Sequence, residues 1–329
     1  MAGSRVTIYG AIAANLAIAA TKFVVGNHTG SSSMLSEGIH SLVDTGNGLL
    51  LLVGVRLSAR EATPEHPFGY GKEIYFWGLI VAILIFGLGG GLSVYEGLSH
   101  VMRPEPMRNP GWNYFVLAAA AVFEGTSLSI AFREFQRERA GRPFWQALHG
   151  SKDPTTYTVL AEDSAALLGL ALAAIGIYAS QRFDNPALDG MASVAIGVLL
   201  AGVAVLLVRE SRGLLVGEGL RPDTIATLRG VIEAHPLVRR VGRMLSMYIG
   251  AEDVLLTLDV QFAPEASAAE VAHAVAELEK EISTRYPRIN RIYIEARSIG
   301  GRNTALAAPA SGATSAAAPP ADVNAPSGS

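Results

Sequence analysis

Six stretches of this 329-residue chain are each long and apolar enough to cross a lipid bilayer, at approximately 6–25, 34–57, 74–98, 112–132, 155–180 and 186–208. A span needs roughly 20 mainly apolar residues, and inside lipid only helices or closed barrels satisfy every backbone polar group. Runs of this length fit helices, so the expected fold is a polytopic α-helical membrane protein with six transmembrane helices. Gly-, Pro-, Asn- and Ser-rich connections such as GNHTGSSS and MRPEPMRNPG separate the runs. Composition agrees, with only 17% of residues charged against about a quarter in an ordinary soluble domain.

Arg5 ahead of an apolar run is also how a signal peptide begins. Here the run is long enough to span and no small-residue cleavage site follows it, so it reads as a retained first helix. Lys and Arg in the short loops set orientation. One side holds Arg5, Arg56, Arg60, Lys72, Arg133, Arg137, Arg139, Arg142, Lys152, Arg209 and Arg212. The other holds Arg103, Arg108 and Arg182, with Lys22 near the end of the first helix. This bias puts both termini in the cytoplasm, and with no transit peptide evident the expected location is a bacterial inner membrane. A net charge of -3 without a dense basic tract gives no footing for nucleic acid. The absence of cysteine excludes disulfides, Cys-type zinc sites and thiol chemistry.

Past Arg212 the pattern changes, which divides the chain into a membrane domain (1–212), a soluble domain (213–299) and a tail (300–329). DVLLTLDVQF alternates, placing Val254, Leu256, Leu258, Val260 and Phe262 on one face of a half-buried strand. The segments 241–250 and 289–296 read as two more strands, and 221–235 as a helix. A second helix opens on the capping box of Ser267 and Glu270 and places Val271, Val275, Leu278 and Ile282 at helical spacing. The order α-β-β-α-β makes a small α+β domain. The Ala-, Pro- and Ser-rich tail holds too little bulky apolar surface to offset its ordering entropy and is expected to be disordered.

The second run carries Glu37, His40, Asp44 and Asn47, groups that a bilayer core penalises by a few kcal/mol each. At about 100° per residue, Asp44 stands roughly 40° around the helix from His40, Glu37 roughly 60° and Asn47 roughly 20° the other way. All four lie on one stripe, more than interhelical hydrogen bonding alone needs. An imidazole and a carboxylate one turn apart suit zinc and other divalent first-row metals. The fifth run adds adjacent Glu162 and Asp163, of which only one is expected to face the same cavity. The fourth adds Glu124 and the first Asn15. Helices one, two, four and five are therefore expected to surround a pathway, with three and six packed outside. Asp189, at the start of the sixth run, reads as a helix-start carboxylate.

SEGIHSLVDTGN (36–47), HPFGYGKE (66–73) and AEDSAALLG (161–169), in this order, resemble the cation diffusion facilitators. The resemblance covers about 5–298. It is nearest to the branch that includes the mitochondrial zinc transporter, which shares the ED pair in the fifth run and an acid in the fourth. It implies six membrane helices, a cytoplasmic ferredoxin-like domain, a homodimer, and a divalent metal exchanged for protons. Carried over, the metal ligands on helix two are His40 and Asp44. On helix five the second ligand is Asp163, while the first position is Val159, which cannot ligate. Glu162 is the first choice to complete the shell, with Glu37, Asn47 or water as alternatives. Of a further metal site in the loop between helices two and three only His66 matches, with Thr63 and Tyr70 at the other places. In the C-terminal domain Tyr293 and Glu295 stand near the matching strand, with His235 and His273 far from it in sequence. Lys72 is expected to pair with Glu218 or Glu210.

The implied activity is secondary antiport rather than enzymatic turnover. A metal displaces protons from its ligands, His40 is the natural proton carrier, and no Walker A sequence is present for ATP. No prosthetic group is expected. Zinc is the first expectation for the transported metal, with manganese, iron, cobalt and nickel as alternatives. The rivals are an intramembrane metallohydrolase, disfavoured by the lack of HExxH, and a non-transporting membrane metal sensor.

Overall fold

The computed structural model describes residues 2–138 and 154–297. Arg139, Arg142 and Lys152 of the charge tally, and the expected disordered tail, lie outside the described residues. Among the described residues six long helices come first: α1 (Ala2–Thr29), α2 (Ser32–Ser58), α3 (Glu73–Met102), α4 (Gly111–Glu138), α5 (Pro154–Arg182) and α6 (Ala187–Val216). Among the described residues, α2 to α6 are long and apolar enough to cross a membrane, and α1 packs along α2.

The amphipathicity of α2 is inverted relative to a soluble helix. Its polar residues Ser33, Ser36, Glu37, His40, Ser41 and Asn47 are buried, whereas Leu42, Leu49, Val53 and Val55 are exposed. That pattern fits a helix whose outer face meets lipid and whose inner face meets other polar helices. Short hydroxyl contacts join the bundle at this level: Ser36 meets Ser193 of α6, and Ser193 in turn donates to the Ser93 carbonyl of α3 at 2.9 Å.

Helices α3 and α6 pack against each other at backbone distance. A Cβ on Gly97 would stand 2.6 Å from both the Gly190 carbonyl oxygen and the Val194 amide nitrogen, so only hydrogen fits there. Small residues at a helix interface allow this approach and the dispersion contact that comes with it. Gly97→Val is therefore expected to lower the melting temperature of the purified protein, by overpacking of about 1–3 kcal/mol. An unchanged melting temperature would mean that the pair separates freely. Upstream of this contact α3 widens into a π-helical stretch, Ile85–Gly91, whose sequence IFGLGGG has low helix propensity.

The C-terminal unit contains α7 (Pro222–Glu233), β1 (Val238–Gly250), β2 (Asp253–Phe262), α8 (Ala268–Arg285) and β3 (Ile289–Arg297). The sheet order is β1-β2-β3, with β1 antiparallel and β3 parallel to β2. A parallel neighbour requires a crossover, which α8 provides. Val254, Leu256, Leu258, Val260 and Phe262 are all buried, against Leu228 and Ile232 of α7 and Ala274, Leu278 and Ile282 of α8. Both hydrogen bonds of the Ser267–Glu270 capping box are made.

Helix α6 runs past the expected domain boundary at 212 and ends at Gly217, whose left-handed φ of 114° suits glycine at that position. The loop before α3 closes the junction. Lys72 Nζ reaches the Leu215 carbonyl at 3.3 Å and the Met247 sulfur at 3.8 Å, rather than the expected Glu218 or Glu210. Arg291 of β3 donates to the Phe68 carbonyl at 3.3 Å with its guanidinium 5.5 Å from that ring.

Candidate functional site

Asp44, Glu124, Glu162 and Asp163 line one cavity of about 430 Å³, together with Asn15, Ser41, Ser127 and Val159. Its walls come from α1, α2, α4 and α5, the four helices the sequence assigns to a pathway. The donors that reach it are carboxylate oxygens, a set that suits a divalent cation. Among the described residues no three His, Asp or Glu side chains stand close enough together to hold a metal as they are. Several are engaged elsewhere, and those partners account for the spread.

Glu162 and Asp163 both face the cavity, which corrects the expectation that only one would. Glu162 turns toward α2, where Asn47 Nδ2 donates to it at 2.8 Å, and Asp163 turns toward α4, where Ser127 Oγ donates to it at 2.7 Å. The 100° between adjacent helical side chains is spanned because the cavity is wide enough to have one wall on each side. Asp44 lines the same cavity, with Oδ1 buried and without a hydrogen-bond partner. His40 is buried just behind Asp44, its Nε2 3.3 Å from Asp44 Oδ2 but not aligned for a hydrogen bond; both ring nitrogens lack a hydrogen-bond partner. Buried polar atoms without partners are costly and call for an explanation, and cation binding supplies one. Val159, at the position of the missing ligand, forms an apolar part of the wall. Asn47 stands behind Glu162 rather than on the cavity surface.

Glu37 does not line the cavity, which corrects its candidacy as a ligand. It is fully buried and ion-paired with Lys22 of α1, Nζ to Oε2 at 3.1 Å, while its other oxygen packs against Gly169 of α5. Lys22 is the residue the sequence reading missed. Counted there as a loop cation, it is completely buried and also donates to Ser41 Oγ at 2.8 Å. The available signal was its place inside the apolar run of a helix that continues to Thr29. Asp189 likewise does more than begin a helix. It is fully buried and accepts hydrogen bonds from the Ser32 amide at 2.6 Å, the Ser33 amide at 3.3 Å and the hydroxyls of Ser31 and Ser33. The first turn of α6 thereby caps the N-terminus of α2.

In the loop between α2 and α3, Thr63, His66 and Tyr70 do come together, but as a packed unit. Tyr70 OH lies 3.3 Å from Thr63 Oγ1, the His66 ring stacks on Tyr70 at 4.4 Å, and the Arg60 guanidinium lies over the Tyr70 ring at 4.7 Å. In the soluble unit, His235 and His273 both contact Glu277, at 3.2 and 3.3 Å. The His235 hydrogen bond, and then the His273 charge, hold the Glu277 carboxyl below its usual range. Tyr293 is exposed, and Glu295 pairs with Arg297 at 3.1 Å. Neither meets the histidines.

Residues 8–216 match the family described as cation efflux transmembrane domain. The chain is 37% identical over 243 residues to the protein named proton-coupled zinc antiporter SLC30A9, mitochondrial, of Xenopus laevis, covering 73% of this chain and 44% of that one. It is 35% identical over 243 residues to the human protein of the same name, covering 73% and 43%. It is 28% identical over 301 residues to the cation-efflux pump FieF of Cronobacter sakazakii, covering 85% and 91%. The chain thus spans less than half the length of the antiporters it matches. These likenesses correct the expected bacterial inner membrane, because the antiporters at 35–37% identity are named as mitochondrial. Loop charge reports how helices sit in a bilayer but carries no information about which bilayer.

Proposed function

Since the chain belongs to the cation efflux family, the cation diffusion facilitators, we propose that it is a divalent-metal:proton antiporter with zinc as its substrate. The observation that carries this reading is the single cavity of four carboxylates, with His40 behind Asp44. Asp44, Glu162 and Asp163 would hold the ion, with Glu124 reaching it from the opposite wall and standing in for the position occupied by Val159. Asn47 and Ser127 act as the waiting partners that release Glu162 and Asp163 when the ion arrives. Ligands must shed protons to bind a metal, so loading and proton release are chemically coupled, and His40 is the group best suited to carry the proton onward.

The same reading takes α1 as a sixth span, the C-terminal unit as a ferredoxin-like domain outside the bilayer, and the working form as a homodimer. Rocking of the helices that carry the site would expose it alternately to the two sides. The oxygen-rich lining also suits manganese, iron, cobalt or nickel, which keeps those metals as the alternative substrates. The test is metal uptake by proteoliposomes of the purified protein, across zinc, manganese, iron, cobalt and nickel, with an imposed pH gradient. Zinc uptake that follows the gradient and stops when it is collapsed is the expected result. No flux of any metal, from folded and inserted protein, would overturn the reading in favour of a sensor.

A further inference from the structure

We propose that Lys22 is a positioning residue that sets how tightly the cavity holds its cation. The proposal rests on the antiporter reading and concerns its affinity. Lys22 Nζ bridges Glu37 on one side, at 3.1 Å, and Ser41 Oγ on the other, at 2.8 Å. Ser41 lines the cavity and Glu37 does not, so the ion pair lies with its positive end toward the cavity. An ammonium only donates, and a hydroxyl has one hydrogen and two lone pairs. Ser41 therefore accepts from Lys22, and the lone pair spent on that ammonium makes its oxygen a poorer ligand for a cation in the cavity. Lys22 is its one side-chain partner among the described residues.

The consequence is electrostatic. Four carboxylates around one divalent cation in a poorly screened interior would hold it too tightly to let it go, and transport requires release as well as capture. A fixed positive charge one hydroxyl away weakens that hold. The pair is neutral overall, so its effect is short-ranged and falls on the ion nearest Ser41.

The experiment measures KM and kcat for zinc uptake, with zinc Kd by calorimetry on the same purified samples. K22M/E37Q removes both charges, and the expected result is a fall in KM and Kd of up to about tenfold, smaller than a single unpaired charge would give because the pair is neutral overall, with kcat falling as release slows. E37Q alone leaves the cation without its anion, and KM and Kd are expected to rise. Structural damage would move both variants the same way. Shifts of the same sign, or no shift in either, would overturn the proposal. Calorimetry reads the Kd shifts without transport, so absence of flux in the wild-type protein would sink the antiporter reading alone.

Discussion

Asp44→Ala is expected to abolish metal uptake while leaving the protein as stable as before, or more so. Asp44 lines the cavity, approaches His40 at 3.3 Å, and has one buried oxygen without a partner. It is not expected to hold the fold together, since its Oδ1 is kept from water without a hydrogen bond, which is a cost rather than a support. Its loss should lower uptake by more than about 100-fold, the upper end of what removing even a supporting group costs a metal site. Size-exclusion behaviour and melting temperature should be preserved. Flux retained within a few-fold of wild type would remove Asp44 from the transport site, and a lost fold would mean that it has a structural partner.

The opposite pairing of effects is expected for Asp189→Ala. The buried carboxylate of Asp189 takes two amides and two hydroxyls at the start of α2, where the helix dipole also favours a negative charge. Removing it strands those donors out of water, at about 1–3 kcal/mol for each that finds no substitute. A loss of several kcal/mol follows, visible as a large fall in melting temperature or in yield of monodisperse protein, with partial rescue by Asp189→Asn, which keeps one acceptor oxygen. Zinc affinity of the fraction that folds should be unchanged, because Asp189 does not line the cavity. A wild-type melting temperature in Asp189→Ala would contradict this account.

Much of this organisation is legible in the residues, and the exceptions share a cause. The long helices follow from run length, and the strand at 253–262 from strict alternation. The stripe of His40, Asp44 and Asn47 follows from helical spacing, because each of these rules uses only neighbours in sequence. Lys22, Glu37 and Asp189 do not yield to such rules. Their roles are fixed by partners 15 residues away for Lys22 with Glu37, and 156–158 away for Asp189 with the serines. Nothing in Gly- or Ser-rich loop composition shows that GNHTGSSS ends in a set of donors aimed at another helix. The pair Glu162 and Asp163 illustrates the same limit: helical spacing gives the angle between them, but the width of the cavity decides whether both can reach it.

The widened stretch of α3 gives that helix a tolerance to a change in length that an ordinary α-helix lacks. A π turn closes i→i+5 rings and lodges an extra residue within the helix. Excising one residue from Ile85–Gly91 would let the backbone relax to an ordinary α ladder, the residue lost being the one that the wider turns lodge. The segment from Leu92 to Met102 would then keep its facing, with Gly97 still against Gly190, whereas a deletion in the ordinary turns would rotate it by about 100° and send bulkier neighbours into a gap that admits only hydrogen. The facing of the second half of the helix therefore withstands one deletion inside Ile85–Gly91 but not one beside it.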